Sequence, residues 1–138
     1  MVVMTLPAEI SSLTQCLKLV VECARAEGFA PQRVTEIELA VEEAMANICL
    51  YAYPESRGEV EVRCGLDEAK HFYIELVDMG IPFDILAMSL PDLTVEPAQR
   101  PIGGLGILLI LAFMDYVTYH REGAHNVLRL TARRPQLG

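Results

Sequence analysis

EIELAVEEAMANI, residues Glu36–Ile48, sets the frame for the rest of the chain. Ile37, Val41, Ala44 and Ile48 recur at three- and four-residue steps, which makes one buried stripe on an α-helix. Glu43 and Asn47 are four apart, so they stack on a face roughly 100° from that stripe. Glu36 and Ala40 fall on the same flank, and Ala40 leaves room there. A carboxylate and a carboxamide on the shoulder of a core helix can form a ligand-facing edge. Asn offers an oxygen to a hard cation, and Glu accepts a proton. The same pair also occurs on ordinary half-exposed helix surface, so its meaning depends on the remaining segments.

The chain has 138 residues, 52% of them hydrophobic, which suits a single domain spanning 1–138 with a sizeable core. Its longest apolar run is LGILLILAFM, Leu105–Met114. As a helix of about 15 Å it cannot cross a hydrocarbon layer of about 30 Å, so it reads as a buried helix and no membrane segment is expected. No basic cluster precedes the apolar residues of MVVMTLPAEI, so a signal peptide is not expected and a cytoplasmic location is. A net charge of −8 without a basic stripe disfavours DNA or RNA as a partner. Cys16, Cys23, Cys49 and Cys64 form no C-x-x-C pair, and free thiols in a reducing compartment are expected. His71, His120 and His125 lack metal-ligand spacing and read as strand-end surface residues.

Either side of the quoted helix the pattern is regular. Val2–Leu6 reads as a short edge strand. A helix from about Ala8 to Glu27 carries an apolar stripe of Ile10, Leu13, Leu17, Val20 and Ala24. Gly28 fits the left-handed position after its end, and Pro31 fits the first turn of the quoted helix. Glu59–Leu66 and Lys70–Asp78 then alternate, as strands with one buried and one wet face do. Asp78 shares parity with Phe72, Ile74 and Leu76, so it points toward the helix layer and needs a donor. Ile85–Arg100 has little periodicity and reads as a lid-like loop. Two strands, Tyr116–Arg121 and Asn126–Arg133, close the chain.

Three segments therefore carry candidate chemistry. They are Glu43 with Asn47, the turn Asp78-Met79-Gly80-Ile81-Pro82-Phe83-Asp84, and Gly103-Gly104-Leu105-Gly106 at a helix start. Glycines at a helix N-terminus let backbone N–H groups approach an anion. A buried Asp can accept from an exocyclic amine such as that of adenine, and Asn47 can coordinate Mg²⁺ against phosphates. No G-x-x-x-x-G-K-[ST] loop is present, so a nucleoside triphosphate would bind without one.

EAMAN (Glu43–Asn47) resembles the N-box of the GHKL, or Bergerat-fold, ATPase superfamily, DMGIPFD (Asp78–Asp84) its first glycine box, and GGLGI (Gly103–Ile107) its second. The D-x-G-x-P-F-D and G-G-L-G forms are similar to those of bacterial anti-sigma-factor serine kinases. The resemblance implies an α+β fold, a two-layer sandwich with three helices on one face of a mixed, mostly antiparallel sheet; Glu59, Glu61, Arg63 and Glu75 on the other face make it read as wet. It implies ATP and Mg²⁺ as cofactors. Asn47 would hold the metal, and Asp78 would bond the adenine amino group. Gly80 would let the backbone turn beneath the base, with Pro82 and Phe83 beside it. Gly103, Gly104, Leu105 and Gly106 would shape the phosphate side, with Arg100 as a phosphate contact and Glu43 as general base. Partners would be a sigma factor and its anti-sigma antagonist, and dimerisation is common in that branch. Two other readings stand beside the kinase: an ATP-binding module that sequesters a partner without transferring phosphate, and a histidine-kinase catalytic fragment. Many relatives carry a histidine shortly after the N-box asparagine, where this chain has Leu50, Tyr51 and Tyr53.

Overall fold

The computed structural model describes residues 1–87 and 104–135. Its elements run β1 (Val2–Pro7), α1 (Leu13–Ala26), α2 (Pro31–Tyr51), β2 (Glu59–Leu66), β3 (Phe72–Asp78), α3 (Gly104–Phe113), β4 (Tyr116–Glu122) and β5 (His125–Ala132), with short 3-10 turns at Ile10–Ser12 and Ile85–Ala87. The strands form one sheet in the order β1-β2-β3-β5-β4. Every pairing is antiparallel, so the sheet is not mixed. The connection through α3 carries the chain past the neighbour position of β3 to the far edge. The β4–β5 hairpin then turns back, and β5 fills the gap antiparallel to both neighbours.

On the helix side, Val60, Val62, Ile74, Leu76 and Leu130 of the sheet and Val20, Ile37, Val41 and Ala44 of the helices are buried in one core. Each large aliphatic side chain taken fully from water contributes about 1.5–3 kcal/mol. All of the stripe read from α2 is buried. The stripe of α1 is shifted: Cys16, Val20 and Ala24 are buried, Leu13 and Leu17 lie at the margin, and Ile10 is exposed. Residues 8–12 are not α-helical, and the 3-10 turn breaks the helical phase that placed Ile10 with the others. Gly28 adopts φ +87 after α1, and Phe29 folds back against Phe72 with ring centroids 5.7 Å apart. The described cysteines are free. Burial pushes the Cys16 thiol up to about 12 and the Cys64 thiol up as well, so both are inert packing groups.

The opposite face is not uniformly wet. Tyr73, Glu75 and Val77 on the outer side of β3 are all buried. Arg129 of β5 crosses over them, with its guanidinium 4.1 Å from the Tyr73 ring centre and its Nε 3.1 Å from Glu75. Arg63 approaches Glu75 from β2 at 3.7 Å. Long arginine stems lying across a central strand cover it while their charged ends stay at the surface.

Candidate functional site

Asn47 lies one residue from the buried Ile48 and is only 5% exposed, deeper than a helix shoulder. Among the described residues its Nδ2 is buried without a hydrogen-bond partner. Such an orphaned group costs about 1–3 kcal/mol. Asp78 ends β3 at 4% exposure, on the inward face that its parity required. Its Oδ1 accepts from the Gly80 N–H at 2.8 Å and from Asn126 Nδ2 at 2.8 Å. Both side chains border one small cavity of about 20 Å³. Ala44 and Ile48 of α2, Leu128 of β5, and Phe83 and Ile85 after β3 supply its apolar lining; Tyr119 and Asn126 join Asn47 and Asp78 as its polar lining. Its lining, apolar with a few convergent polar groups, is of the kind that small-molecule sites have.

The turn after β3 is held from outside. A Cβ on Gly80 would lie 2.2 Å from the carbonyl oxygen of Ala52. The same oxygen accepts from the Ile81 N–H at 2.9 Å, so the end of α2 and the glycine turn touch backbone to backbone. Tyr53 adds a second tie: its hydroxyl accepts from the Met79 N–H and donates to the Glu59 carbonyl, both at 2.7 Å. Burial pushes the Tyr53 phenol up, which keeps it a neutral donor. Gly80 and Pro82 line a groove on the outer side of this turn with Tyr53 and Arg121, whereas Phe83 lines the cavity and stacks on Tyr51 with ring centroids 5.7 Å apart.

Glu43 is half-buried and faces α3. Its Oε2 lies 2.6 Å from where a Cβ on Gly106 would sit, so the absent side chain of Gly106 makes room for the carboxylate. A carboxylate beside the first turn of a helix is favoured by the helix dipole. Glu43 is not among the residues that border the cavity with Asn47 and Asp78. Gly104 and Leu105 form the start of α3, which packs along α2. Arg100 and Gly103 lie outside the described residues, as does the lid-like segment beyond Ala87.

Sequence reasoning missed Asn126, Tyr119 and Arg121. Asn126 stands directly across from Asp78 in the β3–β5 register and is 3% exposed. The signal was a polar residue in the inward series Asn126, Leu128, Leu130, Ala132. The described residues hold no cluster of His, Cys, Asp and Glu able to bind a metal ion. His120 and His125 are exposed, while His71 is half-buried with its Nδ1 unpaired among the described residues.

Comparison with known proteins places this geometry. The model of the histidine kinase-like ATPase domain matches residues 6–132. Serine-protein kinase RsbW of Bacillus cereus (strain G9842) is 28% identical, over 97% of this chain and 86% of the relative. The protein of the same name from Bacillus thuringiensis (strain Al Hakam) matches with the same identity and coverage. Among solved structures, the Erythrobacter litoralis EL346 blue-light activated histidine kinase superposes with a TM-score of 0.57 at 13% identity, covering 90% of this chain and 41% of that one. Its histidine kinase domain superposes with a TM-score of 0.55 at 14% identity, covering 94% and 62%. The chain thus spans less than two thirds of either structure, and at these identities the likeness is one of fold.

Proposed function

The chain belongs to the histidine kinase-like ATPase family, and on that premise we propose that it is a protein-serine kinase acting as an anti-sigma factor. It binds Mg-ATP in the cavity between α2 and the sheet and transfers the γ-phosphate to a serine of an anti-sigma antagonist. The relatives named serine-protein kinases align over nearly the whole chain, which supports this branch over others of the family. The observation that carries the nucleotide site is the single cavity bordered by Asn47 from α2 and Asp78 from β3.

Each residue then has a task its chemistry suits. Asp78 accepts the adenine amino group, and Phe83 supplies an apolar wall for the base. The buried Asn47, whose Nδ2 has no partner among the described residues, fits a magnesium phosphate group: the amide nitrogen would gain an acceptor and the oxygen suits a hard cation. Mg²⁺, when bound, neutralises charge on the phosphate oxygens. The backbone at Gly103, Gly104, Leu105 and Gly106 and the guanidinium of Arg100 are assigned to the phosphates. Glu43 takes the proton of the serine hydroxyl as its oxygen bonds the γ-phosphorus and the bond to the bridging oxygen of ADP breaks. Partners are a sigma factor and the antagonist, and a homodimer in the cytoplasm is the working assembly. No helix among the described residues is long and apolar enough to cross a membrane.

The test is Mg²⁺-dependent ATP binding by the wild-type chain and by Asn47→Ala. The variant is expected to keep its fold and lose the Mg²⁺-linked part of the affinity; equal affinity in both proteins removes the metal role from Asn47. A second reading, an ATP-binding module that sequesters its partner without chemistry, is favoured by the position of Glu43 against Gly106 and off the cavity wall. Glu43→Gln separates the two. Loss of transfer with ATP binding retained supports the kinase; absence of transfer from the wild type to any antagonist supports the module.

A further inference from the structure

We propose that Asn126, locked by Tyr119 and Arg121, is a positioning residue that fixes Asp78 as a hydrogen-bond acceptor and so makes the site select adenine over guanine nucleotides. This rests on the ATP-binding reading above and adds the device that sets its base specificity.

Asn126 uses all of its hydrogen-bonding capacity. Its Oδ1 accepts from the Tyr119 hydroxyl at 2.6 Å and from Arg121 Nη1 at 3.1 Å. Its Nδ2 donates to the Ile81 carbonyl at 2.8 Å and to Asp78 Oδ1 at 2.8 Å. A guanidinium is donor-only and a carbonyl is acceptor-only. Turning the amide by 180° would therefore set N–H against N–H at Arg121 and oxygen against oxygen at Ile81. The carboxamide has one permitted orientation, and that orientation presents a donor to Asp78.

Arg121 strengthens the lock, because the same Nη1 donates to the Gly80 carbonyl at 2.9 Å. The β4–β5 hairpin thus grips both the asparagine and the glycine turn. With Oδ1 of Asp78 engaged by Asn126 and by the Gly80 N–H, Oδ2 receives no hydrogen bond among the described residues. The free edge of Asp78 in the cavity is an acceptor. The 6-amino group of adenine is a donor and matches it. The O6 of guanine is an acceptor, and a buried acceptor facing another carries the cost of an unpaired polar pair.

The experiment measures binding of Mg-ATP and Mg-GTP by the full chain. The proteins are wild type, Asn126→Leu, Asn126→Thr and Tyr119→Phe, each checked for folding by thermal melting. Wild type is expected to prefer ATP. Asn126→Leu removes the donor and is expected to shrink the ATP:GTP affinity ratio by about tenfold or more, the worth of one hydrogen bond to a charged group. Asn126→Thr keeps a hydroxyl donor at the position and is expected to restore most of the ratio, which a purely structural role would not predict. Tyr119→Phe loosens the lock without touching Asn126 and is expected to shrink the ratio less, and it carries the test if Asn126→Leu does not fold. An ATP:GTP ratio unchanged in folded Asn126→Leu, or in Tyr119→Phe where the leucine variant does not fold, overturns the inference while leaving ATP binding intact. A wild type that binds neither nucleotide overturns the ATP-binding reading itself, and the inference with it.

Discussion

Two asparagines border the cavity: every polar atom of the Asn126 side chain has a partner, whereas Nδ2 of Asn47 is buried with none among the described residues. Both are almost wholly removed from water. They nevertheless do opposite things to the folded state. A satisfied buried amide contributes to stability and rigidity, whereas an unsatisfied one costs about 1–3 kcal/mol. The Asn126 end is complete within the chain itself. The Asn47 amide keeps an unused donor among the described residues.

The largest effect is expected where the finished end is held to the helix layer. In Gly80→Ala the new Cβ meets the Ala52 carbonyl at 2.2 Å, and backbone on both sides leaves nothing flexible to yield. Overpacking against backbone is expected to cost about 3 kcal/mol or more and to break the bond between the Ile81 N–H and Ala52. Chemical denaturation measures this directly. A loss under about 0.5 kcal/mol would show that the two backbones do not touch as described.

The same substitution at the two asparagines gives the sharpest test of the contrast. Asn126→Leu takes the partner from the Tyr119 hydroxyl and from the Ile81 carbonyl, leaves Arg121 and Oδ1 of Asp78 with only their bonds to Gly80 among the described residues, and is expected to destabilise the chain by about 2 kcal/mol. Asn47→Leu removes an orphan and is expected to stabilise the nucleotide-free chain by about 1 kcal/mol. The ligand then reverses the second sign. Mg-ATP at a hundred times its dissociation constant adds about 2.7 kcal/mol to the wild type and less to Asn47→Leu. Shifts of equal sign at the two positions without nucleotide would end the distinction between a finished and an unfinished end.

The Asn47 side of the cavity was the more legible of the two, for a physical reason. Helix periodicity is local, so Ile37, Val41, Ala44 and Ile48 announce their face, and Asn47 follows from them within a single turn. Strand parity is local too, and it set Asp78 inward. The partner of Asp78 is not local: Asn126 meets it only because β5, and not β4, lies beside β3. No alternation within either strand contains that adjacency. The covered outer face of β3 escaped for the same reason, since Arg129 reaches Tyr73 and Glu75 only across that ladder. Gly80 was noticed, but the oxygen that forbids its side chain belongs to the end of α2, which sequence spacing alone does not bring near.

The smallest effect is expected at Gly106, and it bears on whether Glu43 belongs to the unfinished end. A Cβ there meets Oε2 of Glu43 at 2.6 Å, the tip of a side chain that can swing aside, unlike the carbonyl at Gly80. Alanine gains about 1 kcal/mol over glycine inside a helix, and displacing the carboxylate offsets part of it. The net change in stability is therefore expected to stay within about 1 kcal/mol of zero. Phosphotransfer should respond more than folding does. If Glu43 acts from its place beside α3, moving it slows transfer to the antagonist serine while ATP affinity holds. If transfer in Gly106→Ala matches wild type, the carboxylate does its work from another position, and only the contact with α3, not the chemistry, is fixed by that glycine.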